Sequence, residues 1–323
     1  MFTDGAISGD LLRELRTIAG VGLRRMATRT CFTPGYLSLV ENGHKPVTTA
    51  VVDAYRAVLA DPALGLADVD IARLQAAIHD PARAGAGSIE DVSMILERTR
   101  HLEDVVGPGM VVQFVRGIDG VALALAGQRA GRQASGAVAS EVARYRGWLE
   151  HATGHPHLAD RTLDDAARLA DEVGDRSQLA HALSFRAYTT RHRGDLARAV
   201  DLTEAAIAVT GAHPILGVYD RYQRAELLAL QGSDTYRTAR ALHRADAAAQ
   251  ATEGIDLPAF GYWYTPGFWG IERGLVLAAM GRRTDAAREA SDGVAALPAE
   301  HQGTEWVTSM LTQIDPDMSA GSV

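Results

Sequence analysis

Four stretches of this chain share one pattern at a nearly fixed interval. "GHPHLADRTLDDAARLADEVGD", "GDLARAVDLTEAAIAV", "GSDTYRTARALHRADAAA" and "GRRTDAAREASDGVAALP" each open on glycine and continue as an alanine-rich run of helical period. Ala159, Ala199, Ala239 and Ala286 stand 40, 40 and 47 residues apart. Each run is preceded by another helical one, so the unit is a helical hairpin of about 40 residues. One hairpin cannot bury its own apolar face, and hairpins that stack to do so form a solenoid. The Gly-x4-Ala-x6-Ala spacing is complete at Gly154/Ala159/Ala166 and Gly194/Ala199/Ala206. It is partial at Gly281/Ala286, with Pro298 closing, and loose around Gly232/Ala239. An all-α class is therefore expected, with helical repeats over residues 138–316 and a disordered tail at 317–323.

The first sixty residues are helical in a different way. "SGDLLRELRTIAG" puts Leu11, Leu12, Leu15 and Ile18 on one face, with Asp10 in the first turn and Gly20 as the stop. "LRRMATRT" is a short second helix with Leu23, Met26 and Ala27 inward. Thr33-Pro34 reads as an N-cap followed by proline at the first helical position. The helix "GYLSLVENG" then has Tyr36, Leu37 and Val40 as its core face and Gly43 as its C-cap. "VTTAVVDAYRAVLA" closes a bundle of four or five helices over residues 1–78. Two short helices joined by a tight turn make a helix-turn-helix.

Between these parts, residues 79–87 read as a linker and 88–137 as connecting helices. Ser88 with Asp91 reads as a capping box for a helix through about Val106, ended by Gly107-Pro108-Gly109. "MVVQFVRGIDGVALALAG" is apolar and reads as a buried helix, its β-branched start leaving a strand open.

Composition excludes several function classes. No 18-residue window is both uncharged and mostly apolar, so no spanning helix and no membrane partner are expected. The acid-bearing N-terminus is not expected to act as a signal peptide, and the single cysteine, Cys31, allows no intramolecular disulfide. A cytoplasmic location is expected. Residues 1–60 carry seven Lys/Arg against five acids, whereas the rest carries 25 against 35, within a net charge of −8. A mildly basic head on an acidic body suits a chain that offers only its N-terminus to phosphate. No P-loop, dinucleotide fingerprint or nucleophile–base pair is present, so no enzyme and no cofactor are expected.

From Gly20 to Gly43, "GVGLRRMATRTCFTPGYLSLVENG" resembles, without a gap, the DNA-binding domain of xenobiotic-response-element-type (XRE, lambda-repressor-like) regulators. "VARYRGWLEHATG" and "ADEVGDRSQLAHAL" resemble the body of bacterial regulators that join such a domain to tetratricopeptide-like repeats. The resemblance covers nearly the whole chain. It implies a transcriptional regulator, a double-stranded DNA operator as partner, and a homodimer.

The departures from that family are specific. Leu23 stands where its members place a phosphate-binding glutamine, and Cys31 where they place a turn glycine that wants positive φ. Pro34 and Gly35 occupy positions that elsewhere reach base edges, and neither can make a bidentate contact. Thr33, Tyr36, Ser38, Asn42, His44 and Lys45 remain for DNA, with Arg24, Arg25 and Arg29 as backbone partners.

In arrays of the tetratricopeptide kind, the first helix of each hairpin lines a concave face. Counting back from each repeat glycine by one helical offset gives Arg144, Trp148 and His151, then His181, Ser184 and Tyr188. The same count gives Tyr219, Tyr222 and Glu226, then Phe268. Aromatic and polar groups sharing a groove suit an unidentified small-molecule or peptide effector, or else inter-repeat packing. "FGYWYTPGFWG", with Tyr262, Tyr264 and Phe268, reads as a lid over that groove, or as a hydrophobic cap or dimer surface. His151, His155 and His157 lie within seven residues, a density that suits a transition metal or an exposed polar loop. They complete no recognised ligand spacing, so no metal is expected.

Three functions follow. The first is a DNA-binding regulator whose repeats bind an effector. The second is a ligand-binding protein or enzyme on a repurposed scaffold, motivated by Leu23, Cys31, Pro34 and Gly35. A protein-interaction scaffold acting through the solenoid is a third.

Overall fold

The computed structural model describes residues 8–19, 21–59, 68–80, 84–127 and 132–318. Helices account for nearly all regular structure, and there is no strand among the described residues. The chain divides into two compact units, Met1–Gly131 and Arg132–Val323.

The first unit runs α1 (Gly9–Ile18), α2 (Leu23–Arg29), α3 (Pro34–Glu41), α4 (Thr49–Leu59), α5 (Asp68–His79), α6 (Ala86–Val106) and α7 (Pro108–Ala126). Ser8 caps α1 by accepting the Leu11 N–H at 3.2 Å, and Thr33 caps α3 by accepting that of Tyr36 at 3.2 Å. Leu12, Leu15, Met26, Leu37, Val40, Val51 and Tyr55 form the core of the first four helices. Gly9 lets α1 touch α3, since a Cβ there would stand 1.9 Å from the Val40 carbonyl oxygen. Gly20, expected to stop α1, lies outside the described residues, as does the side chain of Ile18.

Several local expectations change. Cys31 keeps negative φ, because the α2–α3 turn is made with extended backbone at Thr30 (φ −116°, ψ 165°) instead. Tyr36 is half-buried and leaves the core face of α3 to Leu37, Val40 and Glu41. Helix α6 starts at Ala86 with Gly85 as its N-cap, so Ser88 is a buried residue inside the helix and caps nothing. Helix α7 is a helix throughout, as its Pro108 at the first position favours. It is long and apolar enough to cross a membrane by length and composition, although no 18-residue window of the sequence is both uncharged and mostly apolar. Its face of Val111, Val115, Ile118, Ala122 and Leu125 is nonetheless buried, and Asp119 with it. The fork of Arg73 on α5 grips the buried Asp91 on α6 at 2.8 and 2.6 Å, joining α5 to α6 within this unit.

The second unit is a stack of hairpins: α8 (Arg132–Ala152) with α9 (Pro156–Val173), α10 (Arg176–His192) with α11 (Leu196–Ala208), and α12 (Leu216–Leu230) with α13 (Thr235–Ala251). A single 3-10 turn, Ala259–Gly261, precedes α14 (Pro266–Ala279) and α15 (Arg283–Ala295), followed by α16 (Ala299–Gln302) and α17 (Glu305–Ile314). Each hairpin turns on a glycine of positive φ: Gly154 (81°), Gly194 (85°), Gly232 (70°) and Gly281 (77°). The register of small residues then follows the N-cap of each second helix, four residues on: Ala159, Ala199, Thr238 and Ala286 are buried. In the third hairpin the N-cap Asp234 falls one residue short of the 40-residue period set by His155 and Asp195, so Thr238 takes the crossing position and Ala239 is exposed. Between α14 and α15 the backbones meet directly: a Cβ on Gly270 would stand 2.8 Å from the Gly293 Cα. The expected tail, 317–323, falls outside the described residues from position 319 onward.

Candidate DNA-facing surface and ligand groove

Helix α3 is locked from behind. The buried Glu41 takes both arms of the Arg16 guanidinium at 2.6 and 2.8 Å and the Tyr55 hydroxyl at 2.6 Å. The Glu41 hydrogen bond raises Arg16, and burial together with the Glu41 charge raises Tyr55 far above its ordinary value. Arg16 stays charged and Tyr55 stays a donor, which fixes α3 against α1 and α4.

The outward side of α3 carries the expected DNA residues. Thr33, Pro34, Gly35, Asn42, His44 and Lys45 are exposed, and Ser38 is half-buried. Tyr36 stacks on Phe32 at 5.2 Å, and the Lys45 ammonium lies 5.0 Å from its ring centroid. The Asn42 amide donates to the Ser38 carbonyl at 2.7 Å, and its oxygen accepts from Arg13 at 2.9 Å. On α2, Arg24 is exposed, while Arg25 and Arg29 are half-buried. Leu39 was not singled out by sequence, yet it is 41% exposed on α3. Its place three residues beyond Tyr36 on the same helix was the signal.

In the repeat unit, the residues found by counting from the glycines do converge, but most are packed. Arg144 is fully buried, 5.2 Å from the Phe185 ring and 6.0 Å from that of Phe260. His181 Nε2 meets the Tyr264 hydroxyl at 3.0 Å, and its ring is surrounded by Phe185, Phe260 and Trp263. Ser184 donates to Asp220 at 2.5 Å. Tyr222 donates to Asp246 at 2.9 Å and stacks on Trp269. Tyr219 lies against Tyr264 and Phe268, and Trp148 against Phe185, Tyr188 and His151. The aromatic segment thus fills this part of the inner face: Tyr264, Phe268 and Trp269 are buried, and Tyr262 lies tilted against His301. Of the three clustered histidines, only His151 turns to the inner face, against Tyr188 and His192. His155 and His157 are exposed, and no group of His, Cys, Asp or Glu suited to a metal ion exists among the described residues.

The open space lies nearer the hairpin turns. A cavity of about 490 Å³ is bounded by the last turns of α10, α12 and α14, the first residues of α11 and α15, and Gln313–Pro316 at the end of α17. Of the residues expected in the groove, Glu226 alone lines it. Arg191 pairs with Glu226, and both are nearly buried. Burial pushes Glu226 up while Arg191 pulls it down, and Glu272, also buried, is pushed up to about 8 by burial and by the Glu226 charge. Arg191 was legible in principle, since it sits three residues before Gly194 as His151 does before Gly154. Gln313–Pro316 lie beyond Pro298, which closes the last glycine-alanine stretch, so no repeat position marks them.

No family model matches the chain, and no curated protein matches it. Among solved structures it is similar to Bacillus thuringiensis PlcR, described as a crystal structure in complex with the peptide PapR7 and DNA. The identity is 16%, the TM-score 0.39, and the match covers 89% of this chain and 94% of that one.

Proposed function

We propose that the chain is a DNA-binding regulator, acting as a homodimer on a double-stranded operator, with a repeat unit that binds a small-molecule or peptide effector. The observation that carries this reading is α3, held rigid by the Glu41–Arg16–Tyr55 lock while its outward side stays free for a groove. Thr33, Ser38, Asn42 and His44 offer hydrogen bonds there, Leu39 an apolar contact for a thymine methyl, and Lys45 and Arg24 charge for phosphates. Pro34 and Gly35 add nothing to base readout, so specificity rests on these few groups, on DNA shape and on paired half-sites. The effector enters through the cavity beside Arg191 and Glu226, and it acts by binding one of two conformations more tightly.

The test is selection of bound fragments from the source genome, followed by binding of the best fragment across a salt series. One enriched, partly palindromic site bound well above random DNA supports the regulator. Weak binding to all fragments, gone by physiological salt, overturns it. The bare Pro34-Gly35 start of α3 favours a second reading, a ligand-binding protein on a repurposed scaffold, which that second result would support.

A further inference from the structure

We propose that the cavity at the hairpin-turn end of the repeat unit takes an uncharged, largely aliphatic small molecule. This rests on the effector-binding reading of the unit and names the chemical class of the effector.

The space of about 490 Å³ falls in the usual range for a small-molecule pocket, roughly 300–1,000 Å³. Apolar side chains reach it from four helices. They are Leu196 at the start of α11, Leu230 at the end of α12, Leu275 and Ala278 on α14, and Ile314 at the end of α17, with Pro316 beyond. Leu230 is 46% exposed, the most exposed leucine among the described residues, and it lines this cavity.

The polar side chains of the lining are engaged within the chain. Arg191 pairs with Glu226 and also donates to Gln313 Oε1 at 3.3 Å. The Gln313 amide nitrogen donates to the Ser309 carbonyl at 3.2 Å, and His192 Nδ1 to the Tyr188 carbonyl at 2.9 Å. Desolvation and the Arg191 charge lower His192 to about 4, so it adds no charge. Asp315 accepts the Asp317 N–H at 3.0 Å, and the exposed Arg283 is of opposite sign. Two cations, Arg191 and Arg283, thus face two acids, Glu226 and Asp315, and the wall favours neither sign.

A ligand carboxylate would compete with Glu226 for Arg191, and a ligand ammonium with Arg191 for Glu226. Either would break a nearly buried ion pair and shed its own water. A peptide brings charged termini and a backbone of donors and acceptors that these engaged groups do not match. An uncharged aliphatic body leaves the pair intact and takes the leucine surface out of water.

The experiment titrates the full chain with octanol, octanoate and octylammonium at neutral pH, by calorimetry. Octanol is expected to bind about tenfold or more tighter than either ion. From hexanol to octanol, each added methylene should tighten binding roughly fourfold, the worth of one buried CH2. Leu230→Asn should weaken octanol binding about tenfold, and the exposure of Leu230 lets this variant fold. Tyr236→Asn alters an exposed aromatic outside the cavity and should leave octanol binding unchanged. Equal or tighter binding of either ion, no binding of any probe, affinity flat with chain length, or octanol binding that survives Leu230→Asn would overturn the proposal. An enriched operator without octanol binding removes this proposal alone, whereas octanol binding without an operator removes only the regulator reading.

Discussion

Ser184 on α10 donates a 2.5 Å hydrogen bond to Asp220 on α12, and the second carboxylate oxygen of Asp220 is buried with no hydrogen-bond partner. Burial pushes Asp220 up to about 7, against the Ser184 bond and the Arg221 charge, which lower it. Its folded pKa thus lies above its unfolded one. Between roughly pH 4 and 7 the folded chain keeps a proton that the unfolded chain releases, so stability falls as pH rises through that window. Asp220→Asn keeps an acceptor for Ser184 and cannot ionise. It should stabilise the repeat unit at pH 8 relative to the parent by about 1–3 kcal/mol, and by much less at pH 5. Thermal melts of both proteins at the two pH values decide this, and an equal difference at both would assign the titration elsewhere.

Glu41 should be the most costly polar residue of the first unit. Glu41→Gln breaks a buried charge pair and strands Arg16, at a cost of about 3 kcal/mol. Tyr55→Phe removes one hydrogen bond to a charged acceptor and should cost about 1.5–3 kcal/mol. Denaturant unfolding of the two variants gives the order, and a larger loss for Tyr55→Phe would contradict the arrangement.

Gly9→Ala drives a methyl group into the Val40 carbonyl and must separate α1 from α3. A loss of about 1–3 kcal/mol is expected, the usual size for overpacking. It should appear in the unfolding of the first unit and leave that of the repeat unit unchanged. Gly35→Ala is the control, because no atom lies within 4 Å of its added Cβ. It should be neutral or stabilising by up to about 1 kcal/mol.

On DNA, Lys45→Ala and Arg24→Ala should each weaken binding to all sequences alike. Each should lower the slope of log affinity against log salt by about 0.9. Gly35→Gln should instead change which site is selected, since it adds a side chain that can pair with adenine where none exists. Repeating the selection with this variant tests it, and an unchanged site would place position 35 away from the bases.

Much of this architecture was legible in the order of residues. The glycines at 154, 194, 232 and 281 mark hairpin turns because a left-handed residue is needed where each first helix ends. Thr33 followed by Pro34 marks the start of α3 for reasons local to three residues. Where local signals competed, they failed. Ser88 and Asp91 have capping-box spacing, but α6 starts earlier and Arg73 claims Asp91. Ala239 matches the alanine period, but a one-residue shift of the N-cap gives its place to Thr238.

The groove divides the same way. Counting from the glycines selected residues that lie near one another across the hairpins, because helical offset sets which side a residue faces. It could not say which of them would be filled and which left open. His181 and Tyr222 are covered because a non-repeating segment, Phe260 to Trp269, packs on them. The cavity beside Glu226 survives because that segment lies elsewhere and the end of α17 walls it instead. The sequence by itself determined the helices, their turns and their inward faces, since those depend on neighbours a few residues apart. Only the tertiary structure decided that Arg191, Glu226 and Leu275 line one pocket, because their meeting depends on how three hairpins stack.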